Sequence, residues 1–185
     1  ADRARVVHAD ALVLGRGAVP NSVAGVAHGG LSTSTVAARW PDLVAGGTFD
    51  LAIGNPPYLR ETGNRDVFRA LRTWADGALA ATYRKDCDLH HFFWEAAARQ
   101  LRPGGILIFL TPAYFLESEA AAPLRHRLAS GGFVEAVWRA GSASVFREAG
   151  VEAAVTVWRK AGRGHPEGTA LLDAELRPTG RRVRL

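Results

Sequence analysis

An α/β fold with a mostly parallel sheet is what the sequence predicts, on two observations. Short apolar runs bounded by turn residues, Phe49 to Ile53 and Ile106 to Leu110, read as buried strands. Between and after them lie segments with apolar residues at helical spacing, so strands alternate with helices. That alternation predicts a sheet carrying helices on both faces, each covering apolar surface that a strand exposes.

The elements follow in chain order. Arg5 to His8 reads as a short strand feeding Asp10. From Gly15 to Gly47 the chain is rich in Gly, Ser and Thr, which predicts a long surface insertion with one short helix around Thr33 to Trp40. Asp66 to Ala81 reads as a helix, with Val67, Phe68, Leu71 and Trp74 at helix spacing. The clearest helix is Asp88 to Leu101, where Leu89, Phe92, Phe93, Ala96 and Ala97 share one face and Pro103-Gly104-Gly105 is expected to end it. A further helix is predicted near Glu119 to Ala129, then Phe133 to Arg139 and Val151 to Trp158 as strands that pair. From Gly162 the composition turns to Gly, Pro and Arg, which predicts a linker over 162–185 after a domain spanning 1–161.

At 185 residues and 48% hydrophobic, the chain is long enough for one domain with a sizeable core. Lys and Arg number 23 against 18 acidic residues, and the resulting net charge of +5 suits a polyanionic partner such as DNA. A solvated basic face is the plainer reading of the same charge. The single Cys87 excludes an internal disulfide and fits a reducing, cytoplasmic setting. No run approaches the ~18 apolar residues of a membrane span. His90 and His91 are adjacent, so on a helix they should point about 100° apart and not grip one ion together. With no ligand pair at structural-zinc spacing, no metal is expected.

Chemistry concentrates in Asn55-Pro56-Pro57-Tyr58, at the carboxyl end of the first apolar strand, the edge at which open α/β sheets bind ligands. A planar amino nitrogen is a poor nucleophile because its lone pair is delocalised into the π-system. An Asn side-chain oxygen and a backbone carbonyl that accept its two protons favour a more tetrahedral nitrogen, with the lone pair aimed at an electrophile. Asn55 and the Pro56 carbonyl are the candidates. The two prolines, each with φ fixed at about −65°, aim those carbonyls before substrate arrives. Tyr58 offers an aromatic face for a base turned out of its helix. The competing reading is an ordinary strand-ending turn, since Asn-Pro and Pro-Pro are common loop dipeptides.

Phe49 to Tyr58 resembles the fourth motif of amino-group DNA methyltransferases, specifically the adenine-modifying kind in combined restriction–modification and phage-defence enzymes. Asp88 to Phe93 with Leu101 to Pro112 is similar to the helix and strand that follow in that family. Val145 to Glu152 through Lys160 resembles its closing hairpin, and Val6 to Leu12 its third motif. The likeness spans roughly residues 5 to 160 in the family's order.

The resemblance implies a Rossmann-like methyltransferase sheet with an antiparallel last strand and its first strands missing. It implies S-adenosylmethionine as cofactor, with Asp10 accepting from the cofactor's adenine amino group, and double-stranded DNA as partner. Asn55, Pro56, Pro57 and Tyr58 become the catalytic set, with Tyr58 and Phe146 on the two faces of the flipped base. Asp10 reads equally as an Asx turn closing its strand, and Phe146 also as a core residue. The family's glycine-rich cofactor loop finds no counterpart, since Gly15-Arg16-Gly17 is followed by Pro20 and Asn21 where a helix should start. The chain is therefore expected to be an internal piece, partnered by the rest of its own polypeptide and inactive alone. Two alternatives stay open: a protein glutamine methyltransferase, which would use a similar tetrapeptide on a planar amide, and a non-catalytic DNA-binding remnant.

Overall fold

The computed structural model describes residues 47–74, 80–140, 152–162, 169–172 and 177–183. The expected strand at Arg5 to His8, Asp10, the Gly15-Arg16-Gly17 turn, the helix at Thr33 to Trp40 and Phe146 lie outside the described residues.

Strand β1 (Phe49–Gly54) is followed by helices α1 (Arg65–Trp74) and α2 (His90–Gln100) and then by strand β2 (Leu101–Pro112). Two short 3-10 turns lead into α3 (Ala122–Gly131), then β3 (Gly132–Ala140), β4 (Ala153–Lys160), β5 (Thr169–Leu172) and β6 (Pro178–Val183). The six strands form one sheet in the order β1-β2-β4-β3-β5-β6. β1, β2, β3 and β5 run one way, with β4 antiparallel between β2 and β3 and β6 antiparallel at the far edge. The α/β class and the antiparallel closing hairpin thus stand as predicted.

Strand alternation explains the core. Leu107 and Phe109 of β2 point to the helix-covered face, where Trp158 of β4 joins them against Trp94 of α2 and Leu124 and Leu128 of α3. The Trp94 and Phe109 rings meet edge to face at 5.0 Å between centroids. Trp158 also donates its indole N–H to the Leu128 carbonyl at 3.0 Å, so the buried polar tip is satisfied. A second cluster, Phe68 and Leu71 of α1 with Cys87, Phe92 and Ala96, packs α1 on the outer side of α2.

Five expectations need correction. Ile106 to Leu110 is buried on one face only, because Ile106, Ile108 and Leu110 alternate to a half-buried face that no described helix covers. For the same reason the helices expected on both faces are found on one, among the described residues. β1 is not buried: it pairs only with β2 among the described strands, and Leu51 and Ile53 are 48% and 70% exposed. Helix α2 ends at Gln100 and passes straight into extended Leu101, so Pro103-Gly104-Gly105 lies in the bulged first part of β2 instead of capping the helix. A Cβ at Gly105 would meet the backbone oxygens of Arg102 and Phe49 at 2.9 and 3.0 Å, so only glycine fits that bulge. Finally, 162–185 is not wholly linker, since Ala170 and Leu171 pair in parallel with Ala136 and Val137 of β3 and β6 pairs with β5. Neither Thr169-Ala170-Leu171-Leu172 nor the Gly- and Arg-containing Pro178–Val183 alternates apolar with polar residues, so no strand period marks them in the sequence.

Candidate active site

β1 delivers the chain to the carboxyl edge of the sheet. Gly54 is opposite Phe109, and a Cβ there would meet the Phe109 ring at 2.9 Å, so the strand can pass over that core ring only as glycine. Beyond it Asn55 is exposed, Pro56 buried and Pro57 exposed. Among the described residues, no hydrogen bond engages the Asn55 carboxamide. Tyr58 is 36% exposed, and its hydroxyl donates to the Leu110 carbonyl on the neighbouring strand at 3.2 Å. That bond holds the ring at the sheet edge, and partial burial raises its pKa.

The exit from the tetrapeptide is tied down more firmly. Leu89 N–H donates to the Leu59 carbonyl at 2.8 Å and Glu61 N–H to the Cys87 carbonyl at 3.0 Å, so Arg60 and Asp88 form an antiparallel bridge. The Glu61 carboxylate then accepts from the Tyr83 hydroxyl at 2.9 Å and the Asp86 N–H at 2.8 Å. Loop 55–58 therefore hangs between two fixed points, the end of β1 and the segment preceding α2.

On the Tyr58 side a cleft of about 620 Å³ opens, within the range of small-ligand sites. Its lining includes Arg60, Tyr114, Glu117, Arg139 and Glu152, none of which sequence reasoning singled out. Arg139 makes a two-bond fork on Glu152 (3.1 and 2.7 Å) and a further bond to Glu117 at 2.8 Å. The Arg139 guanidinium holds the Glu152 carboxyl below its usual value. The Arg60 guanidinium stacks 4.7 Å from the Tyr114 ring centre. Burial pushes the Tyr114 hydroxyl up to about 12 and raises Asp88, to which that hydroxyl is hydrogen-bonded. Tyr114 follows β2 as Asn55 follows β1, so the carboxyl-edge rule that picked out Asn55 also applied to it. Arg139 and Glu152 meet through hairpin register, which composition does not reveal.

Behind the loop, Asp88, His90 and His91 are buried together. The imidazole rings do not diverge as expected of helix neighbours, but sit 4.6 Å apart between centroids. Burial lowers the pKa of both, that of His91 to about 4 with Arg125 contributing, so both are neutral near pH 7. Burial likewise pushes the Cys87 thiol up to about 12, which makes it a poor nucleophile.

The sheet, with β4 antiparallel between β2 and β3, has a strand order resembling that of S-adenosylmethionine-dependent methyltransferases. The structure is similar to a candidate class I S-adenosylmethionine-dependent methyltransferase from Listeria monocytogenes, with a TM-score of 0.51, 17% identity, and coverage of 69% of this chain and 39% of that one. It is also similar to a nuclease-deletion mutant of the Type ISP restriction-modification enzyme LlaGI in complex with a DNA substrate mimic, with a TM-score of 0.52, 16% identity, and coverage of 77% of this chain and 16% of that one. Residues 29–146 match the sequence model of the Eco57I restriction-modification methylase, and the chain belongs to that family. Two relatives are the Type II methyltransferases M.HincII of Haemophilus influenzae, 30% identical over 60% of this chain, and M.TthHB8I of Thermus thermophilus, 36% identical over 64%. The chain spans only 22% and 28% of their respective lengths.

Proposed function

We propose that the intact protein, as part of a restriction–modification or phage-defence enzyme, transfers a methyl group to the exocyclic amino nitrogen of adenine in double-stranded DNA. The observation that carries this reading is the exposed Asn55 carboxamide at the end of β1, unengaged among the described residues, beside a tyrosine fixed at the rim of a base-sized cleft. Asn55 Oδ1 and the Pro56 carbonyl accept the two amino protons, and Tyr58 stacks on one face of the flipped base. No enzyme nucleophile takes part; the nitrogen would attack the donor methyl directly, the S–C bond would break to leave a neutral thioether, and the extra amino proton would pass to water. S-adenosylmethionine fits as cofactor because an amine polarised by two acceptors needs a strong electrophile, and the cofactor supplies a methyl on a sulfonium. Asp10 is the proposed acceptor for the cofactor's adenine amino group.

Family membership favours DNA over a protein amide as substrate, and the net charge of +5 agrees with a polyanion. In this reading sequence recognition belongs to another part of the polypeptide. In the intact protein, Asn55→Ala should leave DNA affinity within a few-fold while lowering methyl transfer ~10²-fold or more. Transfer of radiolabelled methyl groups at more than about a tenth of the wild-type rate would remove Asn55 from its assigned role.

A further inference from the structure

Of the nine buried side-chain polar atoms without a hydrogen-bond partner among the described residues, five belong to one cluster: Asp88 Oδ1 and both ring nitrogens of His90 and His91. The other four are single atoms on four different residues. His90 and His91 are fully buried and Asp88 is 3% exposed. Leaving such groups unpartnered is costly, and five in one place call for a shared ligand.

One potential ligand atom from each residue lies within 4.8 Å of the others. We propose that Asp88, His90 and His91 bind a divalent transition-metal ion, with zinc the best match to two neutral imidazoles and one carboxylate. Legs of about 2.1 Å to a tetrahedral zinc put the donors about 3.4 Å apart, so rotation of the side chains has to draw them inward. Two guanidinium groups border the cluster, and both are engaged: Arg125 donates to the Phe115 and Ser118 carbonyls at 2.9 and 2.7 Å, and Arg60 stacks on Tyr114. With both imidazoles fully buried and Asp88, at the wall of the Tyr58 cleft, only 3% exposed, a water takes the fourth position and the ion holds the fold instead of meeting substrate. The role is structural. Asp88 is bridged to Arg60, two residues beyond Tyr58, so the ion fastens the first turn of α2 to the exit of the 55–58 loop.

Untagged full-length protein grown with zinc should contain at least one equivalent of metal by elemental mass spectrometry, one of which the ligand variants assign to this cluster. Cobalt-exchanged protein should show visible d–d absorption, and chelation should lower the melting temperature. His90→Phe, His91→Phe and Asp88→Asn each remove one ligand, and any one of them that keeps its circular dichroism spectrum should lose that equivalent and the cobalt bands. Wild-type protein without stoichiometric metal or cobalt bands overturns the proposal. So does a folded variant that retains both, which would place the metal elsewhere in the polypeptide.

Discussion

Phe146 stands in the 141–151 connection, whose ends the structure anchors at the cleft: Arg139 precedes it, Glu152 follows it, and both line the same cavity as Tyr58. Phe146 itself lies outside the described residues, and the resemblance to amino-group DNA methyltransferases is what gives it the face of the flipped base opposite Tyr58. Aromatic contacts return ~1–3 kcal/mol per base to an adenine that has lost its duplex stacking, so Tyr58 and Phe146 are expected to share the task. With 2-aminopurine at the target position of the full-length complex, Phe146→Ala should change target-base fluorescence and lower turnover while the melting temperature holds. A mutant that instead loses ~3–5 kcal/mol of stability would assign Phe146 to the core. At this scale Asn55 and Tyr58 were legible in the sequence because proline and a preceding apolar strand restrict the backbone locally. Arg60, Tyr114 and Arg139 were not, because their meeting depends on which strands become neighbours.

Helix α2 shows the same division at the next scale. Its apolar face was readable from Phe92, Phe93, Ala96 and Ala97, yet His90, His91 and Glu95 are buried as well, because α1 packs on one side and α3 and the sheet on the other. Helical periodicity reports one buried stripe and says nothing of a helix enclosed by three neighbours. The enclosed carboxylate of Glu95 is compensated by Arg99 at 3.2 Å on its own helix and by Arg127 of α3 at 2.9 and 3.2 Å. Arg127 is 43% exposed, so solvent weakens the attraction at its end, while Glu95 itself has no comparable access to water. Glu95→Gln keeps the shape and removes the charge that both guanidiniums answer. Urea unfolding should show a loss of ~1–3 kcal/mol, with no change in the slope of the transition. An unchanged midpoint would mean that the α2–α3 contact rests on the apolar cluster around Trp94, Leu124 and Leu128.

At the scale of the whole molecule, the described residues present an asymmetric sheet. One face is sealed by helices; the other keeps Ile106, Ile108, Leu110, Val155 and Val157 half-buried, and β1 carries exposed Leu51 and Ile53. Beside β1 an apolar cleft of about 490 Å³ reaches Asn55 and Pro56. The alternation of strands and helices made the fold class legible, but which sheet face is covered depends on elements a strand pattern does not specify. The described residues supply the acceptor side of the proposed reaction, Asn55, the Pro56 carbonyl and Tyr58. No glycine-rich turn with the spacing of a nucleotide-binding loop occurs in the sequence to grip the methionine half of S-adenosylmethionine. Residues 1–185 alone should therefore bind S-adenosylmethionine more weakly than micromolar, short of about −8 kcal/mol, whereas the intact protein should bind it measurably. Titration calorimetry on both at one temperature and salt concentration makes the comparison. Micromolar binding by the isolated chain would show that these residues hold the cofactor without such a loop.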